Sequence, residues 1–467
     1  MATAVIGGGM MGLATAYFLA RETAEVTVFE KEVQVGGLSR SVQLLPDLRW
    51  DKFYHVILST DRELLDFVEE IGLSLDVRFT ETKTGFFTGG RLYSMSSTLE
   101  FLKFKPLSLW SKLRLAAGIL YVNRINDWSR LEKLYVKAWL IRVFGRRTYE
   151  QMWDPLLRSK LGASREQAAA SFIWATIRRL YGTRHSGAKR ELMGCVREGY
   201  SSILARLKER LAGMGVEIRE GQGVQRVEPL PGGGAEVRAG NGVQRFDRVV
   251  LTVPNPEVLR LCPALPEDYR RRLESVRYLD LVCMTLVLRR GLSPFYVTNI
   301  TDPGFPFTGL IDATNVVPPE VLHGKGLVYL PRYLSPGDAF AERSDEQVAG
   351  DFLRGVRRIH PGLSERDIIT AAVNRERYVQ PILEVGYSRR LPPMRTPLDG
   401  VYLVNTTMIL NSTLNNNQVI GLARRLAGLV REPGKAGVSG KAGAQEKTGR
   451  PVKAEAAAAG QRTGVAG

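Results

Sequence analysis

The sequence is poor in cysteine and histidine. Three cysteines, Cys195, Cys262 and Cys283, lie far apart in 467 residues. They form neither a metal spacing nor a disulfide framework, which suits a reducing cytoplasm. Four scattered histidines, His55, His185, His323 and His360, add no ligand cluster, so no metal is expected. Long apolar runs are also missing: the longest candidate, "LRLAAGILYV" at 113–122, is about half of the roughly twenty residues a bilayer span requires. Acidic charge is outnumbered, 48 Asp and Glu against 65 Lys and Arg, for a formal net charge of +17. That excess brings nucleic acid, anionic lipid and acidic substrates into view as partners. No nucleic-acid-binding motif accompanies it, so nucleic acid is set aside.

What is present begins at the N-terminus. "VIGGGMMGLATAYFLA", residues 5–20, has the apolar character of an export signal but neither a basic start nor a cleavage site. It reads instead as a strand ending at Ile6, the spacing Gly7-x-Gly9-x-x-Gly12, then a helix, which is the pattern of a dinucleotide cradle. Gly7 permits the tight turn, Gly9 lets a pyrophosphate approach the backbone, and Gly12 lets the helix pack closely on the strand. The helix N-terminus, at Met10 and Met11, then faces the phosphates. "EVTVFEK" at 25–31 alternates like a strand and ends in Glu30 and Lys31, with Glu30 eighteen positions after Gly12, close to the usual spacing of about twenty. A carboxylate there accepts adenosine-ribose hydroxyls and argues for FAD or NAD over NADP. A second glycine pair follows in "GGLSR", residues 36–40.

These residues, Gly7, Gly9, Gly12, Ala16, Glu30, Gly36, Gly37 and Arg40, resemble the N-terminus of the FAD-dependent amine oxidase, protoporphyrinogen oxidase and phytoene desaturase superfamily. The resemblance implies an α/β fold: a Rossmann-like FAD-binding domain of glutathione-reductase type with a discontinuous α+β substrate domain. It also implies that Gly36, Gly37, Leu38, Ser39 and Arg40 lie near the flavin and its phosphates. The segment at Gly223 and Val224 would supply backbone contacts to the adenine. In "DGVYLVNTTMILNSTLNNNQVIGLARRLAGLV" (399–430), a strand, polar loop and helix would lie beside the flavin, with Asn417, Gln418 and Val419 at the helix N-terminus. Relatives carry Gly and an acid where Asn405-Thr406 stands here, a departure that touches the flavin contact at Asn405.

Catalytic candidates are few: His55 in "FYHVILSTD", and Tyr378 and Gln380 before the last strand. Hydride transfer to a flavin needs positioning and a water-poor pocket more than a strong acid or base. Because no second nucleotide cradle appears, the resemblance points to hydride taken from an organic, lipophilic substrate (amine, porphyrinogen or polyene type), with reoxidation by oxygen, a quinone or another acceptor. Two alternatives stand beside it. "LNNNQVI" and the stretch around His55 also look like UDP-galactopyranose mutases, and the chain could be a basic surface-binding protein without catalysis.

Along the chain, 51–73 reads as a loop or strand and then a helix, and 84–95 as a hairpin around Gly89-Gly90. The stretch from there to about Arg190 is helical. Strands return at 215–228, 234–239 and 246–254 as a β-meander. The FAD domain is expected from 1–80, 190–262 and 385–430, the substrate domain from 81–189 and 263–384, and a disordered tail from 431–467. Between Lys103 and Arg147 stand eleven Lys or Arg against Asp127 and Glu132. There Leu109, Leu113, Ala116, Ala117 and Leu120 recur at helical spacing, as do Trp128, Leu131, Leu134 and Tyr135. Basic amphipathic helices of this kind suit attachment to an anionic membrane surface, so the expected location is cytoplasmic, peripheral at the inner face of the membrane.

Overall fold

The computed structural model describes residues 1–22, 25–182, 191–410 and 412–431. The expected tail from 432 onward and the end of the helical stretch, 183–190, lie outside the described residues.

Five parallel strands form the central sheet, in the spatial order Glu217–Arg219, Glu25–Phe29, Ala2–Ile6, Arg248–Leu251 and Val401–Leu403. The Ala2–Ile6 strand is small and β-branched, and its last four residues are fully enclosed, as a strand covered on both faces requires. The Met10–Ala20 helix is buried all round from Met10 to Leu19. It packs against the Tyr200–Gly213 and Asn416–Arg431 helices, and a helix so enclosed can carry apolar residues on every face.

The meander differs from the sequence reading in its first and third strands. Val224–Pro229, Ala235–Ala239 and Gly242–Phe246 form the antiparallel sheet, while Glu217–Arg219 and Arg248–Leu251 belong to the parallel one. The third strand was hidden because "NGVQRF" is largely exposed and lacks an apolar alternation.

A seven-stranded mixed sheet runs Ile368–Pro381, Tyr278–Leu288, Gly326–Leu334, Gly309–Asp312, Val297–Ile300, Thr84–Thr88 and Arg91–Ser94. The last two strands are the expected hairpin. One face packs on the Asp345–Ile359 helix through Val348, Phe352 and Val356. The other face meets Leu48, Trp50, Phe53 and Cys195. A small sheet places Glu191–Val196 between Ile57–Leu58 and Val77–Thr82, so residue 80, the expected limit of the first FAD segment, falls inside a strand.

The helical stretch contains Thr98–Lys103, Leu109–Arg124, Val136–Phe144, Asp154–Leu161 and Ala170–Gly182 around its own core, with Leu115, Trp139, Phe144 and Trp153 inside. Here the stripe read from the sequence is turned outward. Leu109, Leu113, Ala116, Ala117 and Leu120 are exposed, and the buried positions of that helix are Ser111, Lys112, Leu115, Gly118 and Val122. Close packing decides the orientation: a Cβ on Gly118 would come within 2.5 Å of the Phe144 ring. Lys112 reaches across to donate to the Leu102 carbonyl at 2.5 Å. The second stripe is no regular helix; only a short 3-10 turn, Leu131–Lys133, forms there, with Leu131 inside and Leu134 and Tyr135 outside.

Candidate active site

The cradle is built from close backbone approaches. Gly7 has φ 108°, and a Cβ on Gly12 would lie 1.8 Å from the Gly7 carbonyl oxygen. Thr252 closes the turn from the neighbouring strand, its hydroxyl donating to the Ile6 carbonyl at 2.9 Å. Gly36 N donates to the Gly8 carbonyl at 2.8 Å, which draws the second glycine pair against the first. Gly9 and Gly37 then face each other across a gap: a Cβ on Gly9 would meet no protein atom nearer than Gly37 Cα, at 4.0 Å. A bare floor flanked by glycines at a helix N-terminus fits a pyrophosphate.

Glu30 is buried and organises this floor. Its carboxylate accepts from Gly8 N at 2.7 Å and from Glu32 N at 2.9 Å, which leaves further acceptor capacity on each oxygen for ribose hydroxyls. Lys31 is exposed and lines the approach of Gly223. Gln222 N donates to the Glu30 carbonyl at 2.8 Å, bringing Val224 to the same edge. Arg40 is held by Glu32 at 3.3 Å, and Leu38 packs toward the mixed sheet.

The C-terminal helix is capped by Asn415, whose side-chain oxygen accepts from Gln418 N at 3.0 Å. Asn416 donates to the Ser39 hydroxyl at 3.2 Å, so the helix N-terminus sits against the glycine pair. Gln418 and Val419 lie in that first turn, but the Asn417 oxygen is taken by Leu64 N at 3.1 Å. Asn405 is spent within the protein. Its amide nitrogen donates to Val253 and Asn255, and its oxygen accepts from the Thr407 amide and hydroxyl. With both donors and both lone pairs used, Asn405 offers a ligand only its backbone.

Beyond Asn416 stands Tyr200, whose ring lies tilted against His55 at 4.6 Å between centroids. Asp51, 5% exposed in its side chain, stands 3.6 Å from His55 Nδ1 and accepts from Tyr200 N at 3.0 Å. His55 Nδ1 is buried without a hydrogen-bond partner. With Tyr54, Tyr296, Tyr329 and Cys195 these residues line a small enclosed cavity. Burial pushes the Tyr200 and Tyr296 hydroxyls up and the Cys195 thiol to about 11, so the cavity offers neutral hydroxyls and no thiolate.

Tyr378 and Gln380 do not join His55. Tyr378 takes φ 56° at a register shift of its strand and meets Tyr278 edge to face at the helical core, while Gln380 is buried. The sequence reading missed Asp51, Tyr200 and a buried pair, Arg179 with Asp61 at 2.9 Å. Arg179 also donates to Thr413 at 3.2 Å, tying the helical unit to the loop before Asn416. Nothing local marks these residues, because their partners come from distant segments. Among the described residues no group of side chains could hold a metal, and no helix is long and apolar enough to cross a membrane.

The comparisons agree with this architecture. A region of 163 residues is 29% identical to a mitochondrial protoporphyrinogen oxidase of Nicotiana tabacum, covering 34% of this chain and 32% of that protein; the match thus spans about a third of the curated relative. An oxidoreductase from Methanosarcina mazei superposes with a TM-score of 0.70 at 18% identity, over 92% of this chain and 100% of that one. Cyclohexylamine oxidase from Brevibacterium oxydans IH-35A gives 0.68 at 14% identity, over 92% and 98%. At these identities the two structures show the shared fold. The family model for flavin containing amine oxidoreductases matches residues 10–413, which take in Gly12, Glu30, the second glycine pair and the mixed sheet. The chain is a flavoenzyme with FAD as cofactor, and it belongs to the flavin containing amine oxidoreductase family.

Proposed function

We propose that the protein removes a hydride from an organic, lipophilic substrate, and that oxygen, a quinone or another acceptor takes the electrons. The observation that carries this reading is the bare glycine floor at Gly9 and Gly37 beside the buried Glu30 carboxylate, closed by the helix N-terminus at Asn416 through its hydrogen bond to Ser39. The proposed nucleotide contacts are Gly7, Gly9, Met10, Met11, Gly12, Glu30, Lys31, Gly36–Arg40, Val224, Gln418 and Val419. FAD, when bound, supplies the hydride acceptor.

The chain's own residues supply placement. Burial keeps the Tyr200 and Tyr296 hydroxyls neutral near His55. Asp51 fixes the His55 ring by charge and by holding the helix that carries Tyr200, so that Nε2 of His55 is the group left to take or return a substrate proton. The Asn416 helix N-terminus favours negative charge developing beside it. We place the FAD domain in 1–80, 190–262 and 385–430, with the rest on the substrate side. Membership of a flavin enzyme family favours catalysis over the non-catalytic alternative.

The test is an absorbance spectrum of the purified protein, followed by anaerobic addition of amines, a porphyrinogen and polyene precursors in detergent. Bleaching of flavin bands by one of these supports the reading and begins to name the substrate. A flavoprotein that none of them reduces, but that converts UDP-galactose after chemical reduction, would replace it with the mutase. In a competent enzyme, His55→Gln should lower kcat with unchanged FAD content.

A further inference from the structure

Lysine is seldom drawn into a protein interior unless it is paired. Lys160 is half-buried, and among the described residues it forms no ion pair. Its ammonium lies over the Tyr333 ring instead, 4.7 Å from the centroid, a contact that leaves its hydrogen-bond donors unspent. A helix end favours a cation, but that does not account for the direction Lys160 takes. Arg158, in the same last turn of the Asp154–Leu161 helix, points to solvent with 64% of its side chain exposed and pairs with Asp154 at 2.8 Å. Lys160 turns the other way, onto a tyrosine of the Gly326–Leu334 strand.

That tyrosine stands at a seam. Tyr333 packs against both the core of the helical unit and the core that holds Trp50 and Phe53. Its hydroxyl meets the Tyr54 hydroxyl at 2.8 Å. Two hydroxyls joined by one hydrogen bond keep one proton unspent, so the pair still has a donor to give. Burial and the neighbouring Tyr333 push the Tyr54 hydroxyl well above its ordinary value, which keeps it protonated. Tyr54 directly precedes His55, and the two line one small cavity. The seam therefore brings an unpaired ammonium and a spare hydroxyl proton close to His55.

We infer that Lys160, with the Tyr54–Tyr333 hydroxyl pair beside it, binds an oxyanion of the substrate, a carboxylate or a phosphate. A lysine is a compact point charge that suits either. The inference rests on the reading above, that an organic substrate reacts near His55, and narrows it. The substrate is acidic at one end, which sets hydrocarbon polyenes and simple alkylamines aside; an alkylammonium would meet Lys160 as a like charge.

Calorimetric titration of the FAD-loaded full chain tests it, with laurate, dodecyl phosphate, dodecanol and dodecylamine below their micelle-forming concentrations. At least one of the two anions is expected to bind about tenfold tighter than the alcohol, and the amine no tighter than the alcohol. The tighter anion tells carboxylate from phosphate. Lys160→Met should remove the preference at unchanged FAD content and melting temperature, and Lys160→Arg should keep it. Tyr54→Phe should weaken anion binding about threefold. Equal binding of anions and alcohol would overturn the inference. So would a preference that Lys160→Met leaves intact, since its source would then be the basic surface. If Lys160→Met fails to fold, Lys160→Gln carries the same comparison. A Lys160-dependent preference in a protein whose flavin no substrate bleaches would sink the proposed chemistry and leave the subsite standing. Bleaching by an alkylamine without that preference would do the reverse.

Discussion

The cradle and the helical unit use the same steric device, a glycine that admits a close neighbour. At Gly12 the neighbour is the Gly7 carbonyl, five residues earlier; at Gly118 it is the Phe144 ring from another helix. In the cradle the partner is backbone at a fixed spacing, so the sequence announces the contact. In the helical unit the partner is a side chain that only the tertiary fold supplies, and the helix turns its apolar stripe outward against the rule that such a stripe marks the core.

The largest effect should come from Gly12→Val, because no side chain can share the space of the Gly7 carbonyl. A loss of about 4 kcal/mol or more is expected, seen as failure to recover folded protein. Its partner variant, Gly9→Leu, should fold with a near-normal melting temperature yet purify without flavin, since that side chain enters open space. If Gly9→Leu retains FAD, the cradle is not the cofactor site.

The orientation of the Leu109–Arg124 helix predicts that Leu115→Ala costs about 2–5 kcal/mol in urea denaturation. Trp110→Ala, despite removing the larger ring, should shift stability by under about 0.5 kcal/mol. The reverse order would show that the helix buries its other face. Between the two regions, Arg179→Met or Asp61→Asn alone should cost about 2 kcal/mol by stranding a charge, and the double variant clearly less than the sum in a double-mutant cycle.

A smaller effect concerns pH. Burial holds the His360 imidazole below its ordinary value of 6.5, so the native state keeps it neutral while the unfolded chain protonates it. Stability should therefore fall as pH drops below about 6.5 and level off under the depressed native value. His360→Gln should flatten that slope in melting curves recorded across the range.

The same contrast explains what could be read in advance. The glycine turns and the capped helix at Asn416 were legible because each depends on neighbours within a few residues, and the first strands of the parallel sheet with Glu30 because strand, glycine turn, helix and strand follow one another directly. The hairpin at Gly89-Gly90 was legible for the same reason. The Gly242–Phe246 strand was not, because exposed polar residues carry no alternation. Asn405 looked like a ligand position, but its amide closes a network with Val253, Asn255 and Thr407 that no local pattern shows. Asp51 and Tyr200 meet across 149 positions of chain, and the Asp61–Arg179 pair is equally remote, so the polar framework of the cavity was out of reach.

The order of strands in the parallel sheet has a consequence in time. Ala2–Ile6 pairs with Arg248–Leu251, which in turn pairs with Val401–Leu403. The first glycine turn is synthesised early, but its Thr252 clasp and the Asn416 helix arrive only when most of the chain has been made. Pairings so distant in sequence are slow to close. The Ala2–Ile6 strand can pair at once with Glu25–Phe29, but its other edge must wait open, exposed to misassembly, until Arg248–Leu251 emerges.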